Sequence, residues 1–194
     1  MTRIVSGFAG SLTLAVPRSG TRPTSDRVRE AMFSALVARN AVHDANVLDL
    51  YAGSGALGLE AASRGAASVV LVERSRAAAE ICRANASAIL TAAKGRAAPR
   101  LSTVVSSVRG FLAGHSAAAG GFQLVFLDPP YDLPERELTE DLATLEPLLT
   151  DDAVVVVERS ARSQEPTWPP LLTLDRRKVY GDTAVWTADR IVAE

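Results

Sequence analysis

The sequence has little of several residue types, and each shortage excludes a class of protein. One cysteine, Cys82, excludes an internal disulfide, and only two histidines (His43 and His115) accompany it, so we expect no metal site. No apolar run approaches the roughly 20 residues that a membrane span needs. The first residues, MTRIVSGFAG, lack the apolar core of a secretory signal. We therefore expect a cytoplasmic protein with no membrane association.

An excess of charge of one sign is also missing. The net charge is −1, so the overall charge does not indicate a nucleic-acid partner. The distribution is less even, because residues 1–40 contain six arginines against only Asp26 and Glu30. Taken alone, this asymmetry favours an ordinary solvated surface.

The sequence does contain enough apolar residues for one well-packed domain. Of its 194 residues 47% are hydrophobic and 22% charged, which is typical of globular proteins. Residues 1–40 predict an extension made of a β-hairpin and a helix, in which Val28, Met32 and Leu36 share one face. Residues 41–194 predict the main domain.

Strands and helices alternate through this main domain. The apolar runs NVLDL, SVVLVE, RLSTVV, FQLVFLD and DAVVVVE predict strands, with helices between them. Two closing strands flank Gly181 and Asp182 and predict a hairpin. Such alternation is typical of an α/β fold, with a mostly parallel sheet covered by helices on both faces. Ligands of such sheets bind beyond the carboxyl ends of the strands, where the strand order reverses.

A glycine-rich loop follows the first of these strands, in DLYAGSGALG. Gly53, Gly55 and Gly58 form G-x-G-x-x-G, a weak signal by itself, and Glu73 ends the next strand, where it can accept hydrogen bonds from ribose hydroxyls. Both features suit an adenosine-containing ligand and leave NAD(P) and S-adenosylmethionine (SAM) as alternatives. Asp49 favours SAM, because its carboxylate suits an amino group and repels a pyrophosphate. The alternative is that Asp49 holds amides of the loop.

An unusual acid-Pro-Pro-Tyr segment follows the strand FQLVFL. Each proline holds the preceding residue in an extended conformation, so Asp128 and Pro129 are both extended. The Asp128 carboxylate and the Pro129 carbonyl are then two fixed acceptors for the two N–H groups of an exocyclic amine. Tyr131 can stack on the base, which must first swing out of structured nucleic acid. The alternative is a simple proline turn that closes the strand.

Together these motifs resemble class I SAM-dependent methyltransferases that modify exocyclic amines. With RPTSDRVREAMFSAL upstream, the sequence is most similar to the RsmD family, bacterial 16S ribosomal RNA guanine-N2 methyltransferases. The resemblance implies a seven-stranded sheet whose final strand inserts antiparallel. It implies a 16S rRNA substrate, within an assembling or assembled small ribosomal subunit, and a monomeric enzyme that converts SAM to S-adenosylhomocysteine.

The resemblance also assigns roles to individual residues. The catalytic residues are Asp128, Pro129 and Tyr131. The cofactor-binding residues are Asp49, Tyr51, Ala52, Gly53, Ser54, Gly55, Glu73, Arg74, Ser106 and Ser107. The residues expected to contact RNA phosphates are Arg3, Arg22, Thr24, Arg27 and Arg29.

Two departures from the family pattern change these expectations. Ser106 and Ser107 stand where the family usually has an acid for the adenine amino group, so we expect adenine binding to depend more on the backbone. The first hairpin is less basic than is usual, which predicts weaker binding to free RNA. An adenine-N6 DNA methyltransferase, a protein-amide methyltransferase and a non-catalytic SAM- or RNA-binding assembly factor stay open as alternatives.

Overall fold

The computed structural model describes residues 2–17, 25–115 and 121–192, and its secondary structure follows the predicted alternation. The strands are β1 (Thr2–Arg3), β2 (Thr13–Leu14), β3 (Asn46–Leu50), β4 (Ser68–Glu73), β5 (Arg100–Val105), β6 (Phe122–Leu127), β7 (Leu149–Ser160), β8 (Leu172–Tyr180) and β9 (Thr183–Arg190). The α-helices are α1 (Asp26–Ala38), α2 (Ala56–Ser63), α3 (Arg76–Ala92), α4 (Val108–Ala113) and α5 (Glu135–Leu145), and a 3₁₀ turn (Glu146–Leu148) precedes β7.

Seven strands form one sheet in the order β5-β4-β3-β6-β7-β9-β8. Strands β3 to β7 are parallel, and β9 lies antiparallel between β7 and β8. This confirms the predicted mostly parallel sheet and the antiparallel insertion of the final strand. The strand order reverses between β3 and β6, since the chain builds outward from β3 to β5 and then returns to β6.

The register of the central strands brings the predicted motifs to one edge of the sheet. Leu50 of β3 pairs with Val72 of β4 and with Leu127 of β6. The residues that follow these three strand positions, Tyr51, Glu73 and Asp128, therefore leave the sheet at the same level.

Helices cover both faces of the sheet, and each face has its own apolar core. One core contains Val47, Leu124 and Phe126 under helices α1 to α3, and the other contains Leu48, Val125 and Leu127 under α4 and α5. Both faces of the central strands are thus buried, as their continuous apolar runs predict.

The N-terminal segment shares the first of these cores. Its hairpin contributes Ile4 and Leu14, and α1 contributes the predicted face of Val28, Met32 and Leu36. Ser25 caps α1 by accepting a hydrogen bond from the Val28 amide.

The hairpin pairs over only two residues on each side, less than the sequence predicts. The amides of Val5 and Ser6 donate instead to the carboxylate of Glu60 on α2, and the Phe8 amide donates to the Ser63 carbonyl. The Val5, Ser6 and Phe8 amides therefore bond to α2, while the Ile4 amide still bonds across the hairpin to the Leu12 carbonyl.

Candidate active site

A cleft of about 980 Å³ opens at the carboxyl edge of the sheet, above the ends of β3, β4, β5 and β6. This is the position that the reversal of strand order predicts for a ligand. All of the predicted cofactor-binding residues except Gly55 line it, and so does Asp128. A second hollow, between α1 and β8, holds only about 30 Å³ and has room for a few water molecules.

The glycine-rich loop forms the inner wall of the cleft. Gly53 and Gly55 both have positive φ, 55° and 80°, and Gly55 caps the N-terminus of α2 in a left-handed conformation. A side chain at Gly55 would lie 2.8 Å from the Cys82 sulfur, so this position requires glycine on two counts. Gly55 thus shapes the loop from behind, while Gly53 and Ser54 face the cleft.

Asp49 lies beneath this loop and is only 1% exposed. Its Oδ2 accepts a hydrogen bond of 2.8 Å from the amide of Gly58, the last glycine of the motif, which lies in the first turn of α2. It also lines the cleft. Burial raises its pKa to about 7; the Gly58 hydrogen bond opposes this rise and the Glu73 charge adds to it. A buried carboxylate with this pKa is stabilised in its ionised form by a nearby cation.

Glu73 joins the loop to the start of α3. Its Oε2 accepts from the Gly53 amide at 3.0 Å and its Oε1 from the Ser75 amide at 2.7 Å. Arg74, next along the chain, is exposed at the rim. The carboxylate is therefore held at the mouth of the cleft.

Ser106 and Ser107 form the wall beyond β5. Ser107 caps α4 by accepting from the Gly110 amide at 3.1 Å, and the Ser106 hydroxyl donates to the Ser107 carbonyl. The residues that replace the usual acid thus start a helix at the edge of the cleft.

The acid-Pro-Pro-Tyr corner follows β6 on the opposite side of the cleft from β4. Asp128 and Pro130 line the cleft, whereas Pro129 is buried and does not. Tyr131 is 56% exposed and lies outside the lining, so its ring is open to solvent.

Arg159, at the end of β7, holds this corner from behind. The side chain is buried, and it donates to the Leu133 carbonyl at 2.8 Å and to the Pro130 carbonyl at 3.4 Å. The Leu133 amide also donates to the Pro130 carbonyl. The corner is therefore fixed by hydrogen bonds as well as by its prolines.

The residues predicted to contact RNA lie in different environments. Arg3 and Arg27 are exposed, and Arg3 pairs with Asp26 at 3.0 Å. Arg22 and Thr24 lie outside the described residues. None of the three arginines that the structure describes in this set lines the cleft.

Arg29 does not fit a contact with RNA phosphate. Its side chain is fully buried, donates to the Arg3 carbonyl at 2.7 Å and pairs with Asp26 at 2.5 Å, and it lies 3.9 Å from Glu60. The prediction that Arg29 contacts an RNA phosphate is wrong, because a side chain with no exposed surface cannot reach a phosphate. The helix period places Arg29 next to Val28 and one turn before Met32 and Phe33, which is the signal that it lies inside.

Two further contacts at the cleft were not predicted from the sequence. Asn85, on α3, donates to the carbonyls of Ala15 and Ser54 and so links the N-terminal hairpin to the glycine-rich loop. The Tyr51 hydroxyl donates to Oδ2 of Asp141 on α5. Both pairs are far apart in sequence, so no local pattern indicates them. Cys82 is a buried thiol, as its helix position predicts, and burial raises its pKa to about 12.

The fold and the cleft define a class I methyltransferase, in which the cofactor site lies at the carboxyl ends of the first strands. Solved structures share this fold. The Escherichia coli protein yhhF superposes with a TM-score of 0.83 at 35% identity, covering 99% of each chain. The rRNA methyltransferase aviRa of Streptomyces viridochromogenes, at 19% identity and a TM-score of 0.70, covers 89% of this chain and 88% of its own, and shows the shared fold.

The sequence comparisons identify the family. The family model described as "Conserved hypothetical protein 95" matches residues 2–189. The chain is 39% identical over 183 residues to ribosomal RNA small subunit methyltransferase D of Escherichia coli strain K12, covering 94% of this chain and 86% of the relative. The relative of the same name from Haemophilus influenzae is 31% identical and is covered over 89% of its length. The chain therefore belongs to this family, the RsmD family, as its motifs predict.

Proposed function

We propose that this protein transfers a methyl group from SAM to the N2 amine of a guanine in 16S rRNA, within an assembling or assembled small ribosomal subunit. The observation that carries the proposal is the common cleft of the glycine-rich loop and the Asp128 corner, which follow the neighbouring strands β3 and β6. The names of the relatives from Escherichia coli and Haemophilus influenzae support ribosomal RNA of the small subunit as the substrate. We propose that the enzyme acts as a monomer in the cytoplasm.

The donor side of the cleft fits SAM in charge and in shape. The buried Asp49 carboxylate suits the ammonium of the methionine moiety, and Gly53 has open space where a side chain would stand. Glu73, at the mouth of the cleft, suits the ribose hydroxyls, and the α4 start at Ser106 and Ser107 bounds the adenine. SAM supplies a methyl group on a positively charged sulfur, an electrophile that needs no metal.

The acceptor side orients the amine. The Asp128 carboxylate accepts one N–H group, and the carbonyl of Pro129, which does not line the cleft but joins two residues that do, accepts the other. These two acceptors direct the nitrogen lone pair towards the methyl carbon, while Tyr131 stacks on the base. The nitrogen–carbon bond forms as the carbon–sulfur bond breaks, and the sulfur keeps the electron pair. The nitrogen then gives its extra proton to Asp128, which passes it to water. Because the corner that carries these acceptors is already held by its prolines and by the bonds from Arg159 to the Pro130 and Leu133 carbonyls, little rearrangement accompanies the reaction.

The RNA side uses the exposed basic residues of the N-terminal segment. Arg3, Arg27 and, outside the described residues, Arg22 and Thr24 are proposed to contact phosphates, which position the RNA without reading its sequence. On this proposal residues 1–40 form an extension that positions the RNA, and residues 41–194 form the catalytic domain.

The test is transfer of labelled methyl groups to small ribosomal subunits from a strain that lacks the gene. We expect label in 16S rRNA, and nuclease digestion should yield N2-methylguanosine. Label in adenine or in a ribosomal protein would identify one of the alternative amine or amide substrates. No label at any stage of subunit assembly would contradict the proposal.

A matched pair of variants separates catalysis from binding. Asp128→Ala should abolish transfer while SAM affinity, measured by calorimetry, stays within severalfold, because Asp128 acts on the amine. Asp132→Ala, an exposed acid four residues along the same segment, is the control and should keep activity. An active Asp128→Ala enzyme would favour the alternative that the corner is a simple proline turn. SAM binding without turnover by the wild type would indicate a non-catalytic assembly factor.

A further inference from the structure

Tyr51 lies at the junction of the two halves of the cleft. It is the first residue after β3 and leads directly into the glycine-rich loop. Its φ is 64°, a left-handed conformation that is strained for a residue other than glycine. Such a conformation persists only when the surroundings hold it.

A hydrogen bond between two residues of the cleft lining supplies such a constraint. The Tyr51 hydroxyl donates to Oδ2 of Asp141 at 2.5 Å, a short distance typical of a charged acceptor. Asp141 is 4% exposed, and it lies on α5, the helix that starts directly after the Asp128 corner. Both side chains line the cleft.

We propose that Tyr51 and Asp141 are positioning residues that fix the distance between the methyl donor and the target amine. One partner stands at the root of the donor loop, and the other stands on the element that continues from the acceptor corner. Their hydrogen bond ties these two segments together at the cleft itself, in addition to the pairing of β3 with β6 below it. Reacting atoms must be held about 3–3.5 Å apart, and a displacement of 1 Å can cost about 100-fold in rate.

The environment of the pair agrees with this role. Burial raises the pKa of the Asp141 carboxyl, and the Tyr51 hydrogen bond acts in the opposite direction. Burial and the Asp141 hydrogen bond likewise raise the pKa of the Tyr51 phenol. The phenol therefore keeps its proton at neutral pH and remains the donor, which leaves Asp141 as the acceptor.

The inference rests on the proposed methyl transfer, and a double-mutant cycle tests it. Tyr51→Phe keeps the ring and removes the donor; Asp141→Leu removes the acceptor; Asp141→Asn keeps a neutral acceptor. We expect Tyr51→Phe and Asp141→Leu each to lower kcat about tenfold or more, with KM for the RNA and Kd for SAM within about threefold. The double variant should be no slower than the slower single variant, and Asp141→Asn should recover most of kcat.

Tyr180→Phe, at the end of β8 outside the cleft lining, is the matched control and should behave as wild type. Thermal unfolding of the wild type, Tyr51→Phe, Asp141→Leu and the double variant, all without ligands, measures the coupling of the pair independently of activity. A positive coupling with unchanged kcat would overturn the positioning role, and so would additive losses of kcat or an Asp141→Asn enzyme as slow as Asp141→Leu. If Asp141→Leu does not fold, Tyr51→Phe and Asp141→Asn decide the question. Absence of transfer by the wild-type protein would contradict the proposed function, while the unfolding cycle would still test the hydrogen bond.

Discussion

The buried carboxylate of Asp49 makes the stability of the fold depend on pH. Its pKa rises from an ordinary value near 3.8 to about 7 because the carboxylate is buried under the glycine-rich loop. The folded protein therefore binds a proton more tightly than the unfolded chain between these two values. The free energy of unfolding falls as the pH rises through this window and is constant above it, so an ionised Asp49 destabilises the ligand-free protein.

The first prediction concerns Asp49→Asn, which keeps an acceptor for the Gly58 amide and removes the charge. At pH 8 we expect the variant to be more stable than wild type by on the order of 2–4 kcal/mol, since one pKa unit corresponds to about 1.4 kcal/mol. At pH 4 the two should agree. Urea unfolding at both pH values measures the difference, and an equal effect at both would contradict the raised pKa.

The same variant tests the charge of the bound ligand. If the ammonium of SAM lies beside Asp49, affinity should increase between pH 5.5 and 7 in the wild type, by up to about tenfold per pH unit, as the carboxyl loses its proton. Asp49→Asn should bind weakly and without this dependence. Glu80→Gln, which removes an exposed acid on α3, should leave both the affinity and its pH dependence unchanged.

At the scale of elements, the loop between β3 and α2 depends on backbone geometry more than on side chains. Gly55 and Gly95 have the same φ, 80°, but different surroundings. A Cβ at Gly55 would lie 2.8 Å from the Cys82 sulfur and 3.2 Å from Leu59, whereas among the described residues nothing lies within 4 Å of a Cβ at Gly95. Comparing substitutions at the two glycines therefore separates the energetic cost of a left-handed conformation from the cost of steric overlap.

The second prediction compares alanine at these two positions. Gly95→Ala should lower the free energy of unfolding by about 1 kcal/mol, the cost of a left-handed alanine, and leave SAM binding unchanged. Gly55→Ala should cost about 2–4 kcal/mol, because the overlap adds to the same conformational cost. It should also weaken SAM at least about tenfold through displacement of the loop. Thermal unfolding and calorimetry measure the two effects, and equal losses of stability would show that space at Gly55 is unimportant.

The elements themselves follow closely from the sequence, while their connections do not. Continuous apolar runs predict β3, β4, β6 and β7, and the closing hairpin follows from Gly181 and Asp182, because these signals are local. The N-terminal hairpin is shorter than its pattern predicts, since the Val5 and Ser6 amides bond to Glu60, which lies 55 and 54 residues further along the chain, respectively. A contact of this range leaves no local signature.

The same distinction applies to the site. The glycine-rich loop, Glu73 and the Asp128 corner are each contiguous motifs, and the parallel register brings them to one cleft. Arg159 and Asp141 could not be found in this way, because their roles depend on carbonyls and hydroxyls from other elements. Arg29 was misassigned, because composition counts a charge and does not show whether it is buried.

At the scale of the whole molecule, a buried charge network fastens the N-terminal segment to α2. Glu60 is fully buried; its Oε2 accepts from the Val5 amide at 2.6 Å, and its Oε1 accepts from the Ser6 amide at 3.0 Å and from Arg64 at 2.7 Å. Arg29 approaches it to 3.9 Å, and within the described ranges the Arg29 Nε and Nη1 atoms have no hydrogen-bond partner. Glu60 therefore keeps three other hydrogen-bond donors without Arg29, whereas Glu60 is the anion beside the unbonded Nη1 atom of Arg29.

The third prediction follows from this inequality. Arg29→Met should cost only about 1–2 kcal/mol, because Glu60 keeps two amides and Arg64, and methionine fills the space. Glu60→Ala should cost about 3–5 kcal/mol, because it leaves the Arg29 charge buried without an anion beside its Nη1 atom and two amides without their acceptor. Urea unfolding measures both, and a larger loss in Arg29→Met would contradict the asymmetry.

The salt dependence of RNA binding then distinguishes a structural arginine from one that contacts RNA. The slope of the logarithm of the binding constant against the logarithm of salt concentration should be unchanged in Arg29→Met. Replacing the exposed Arg27 should reduce the magnitude of this slope by about 0.7–0.9 if that arginine neutralises one phosphate.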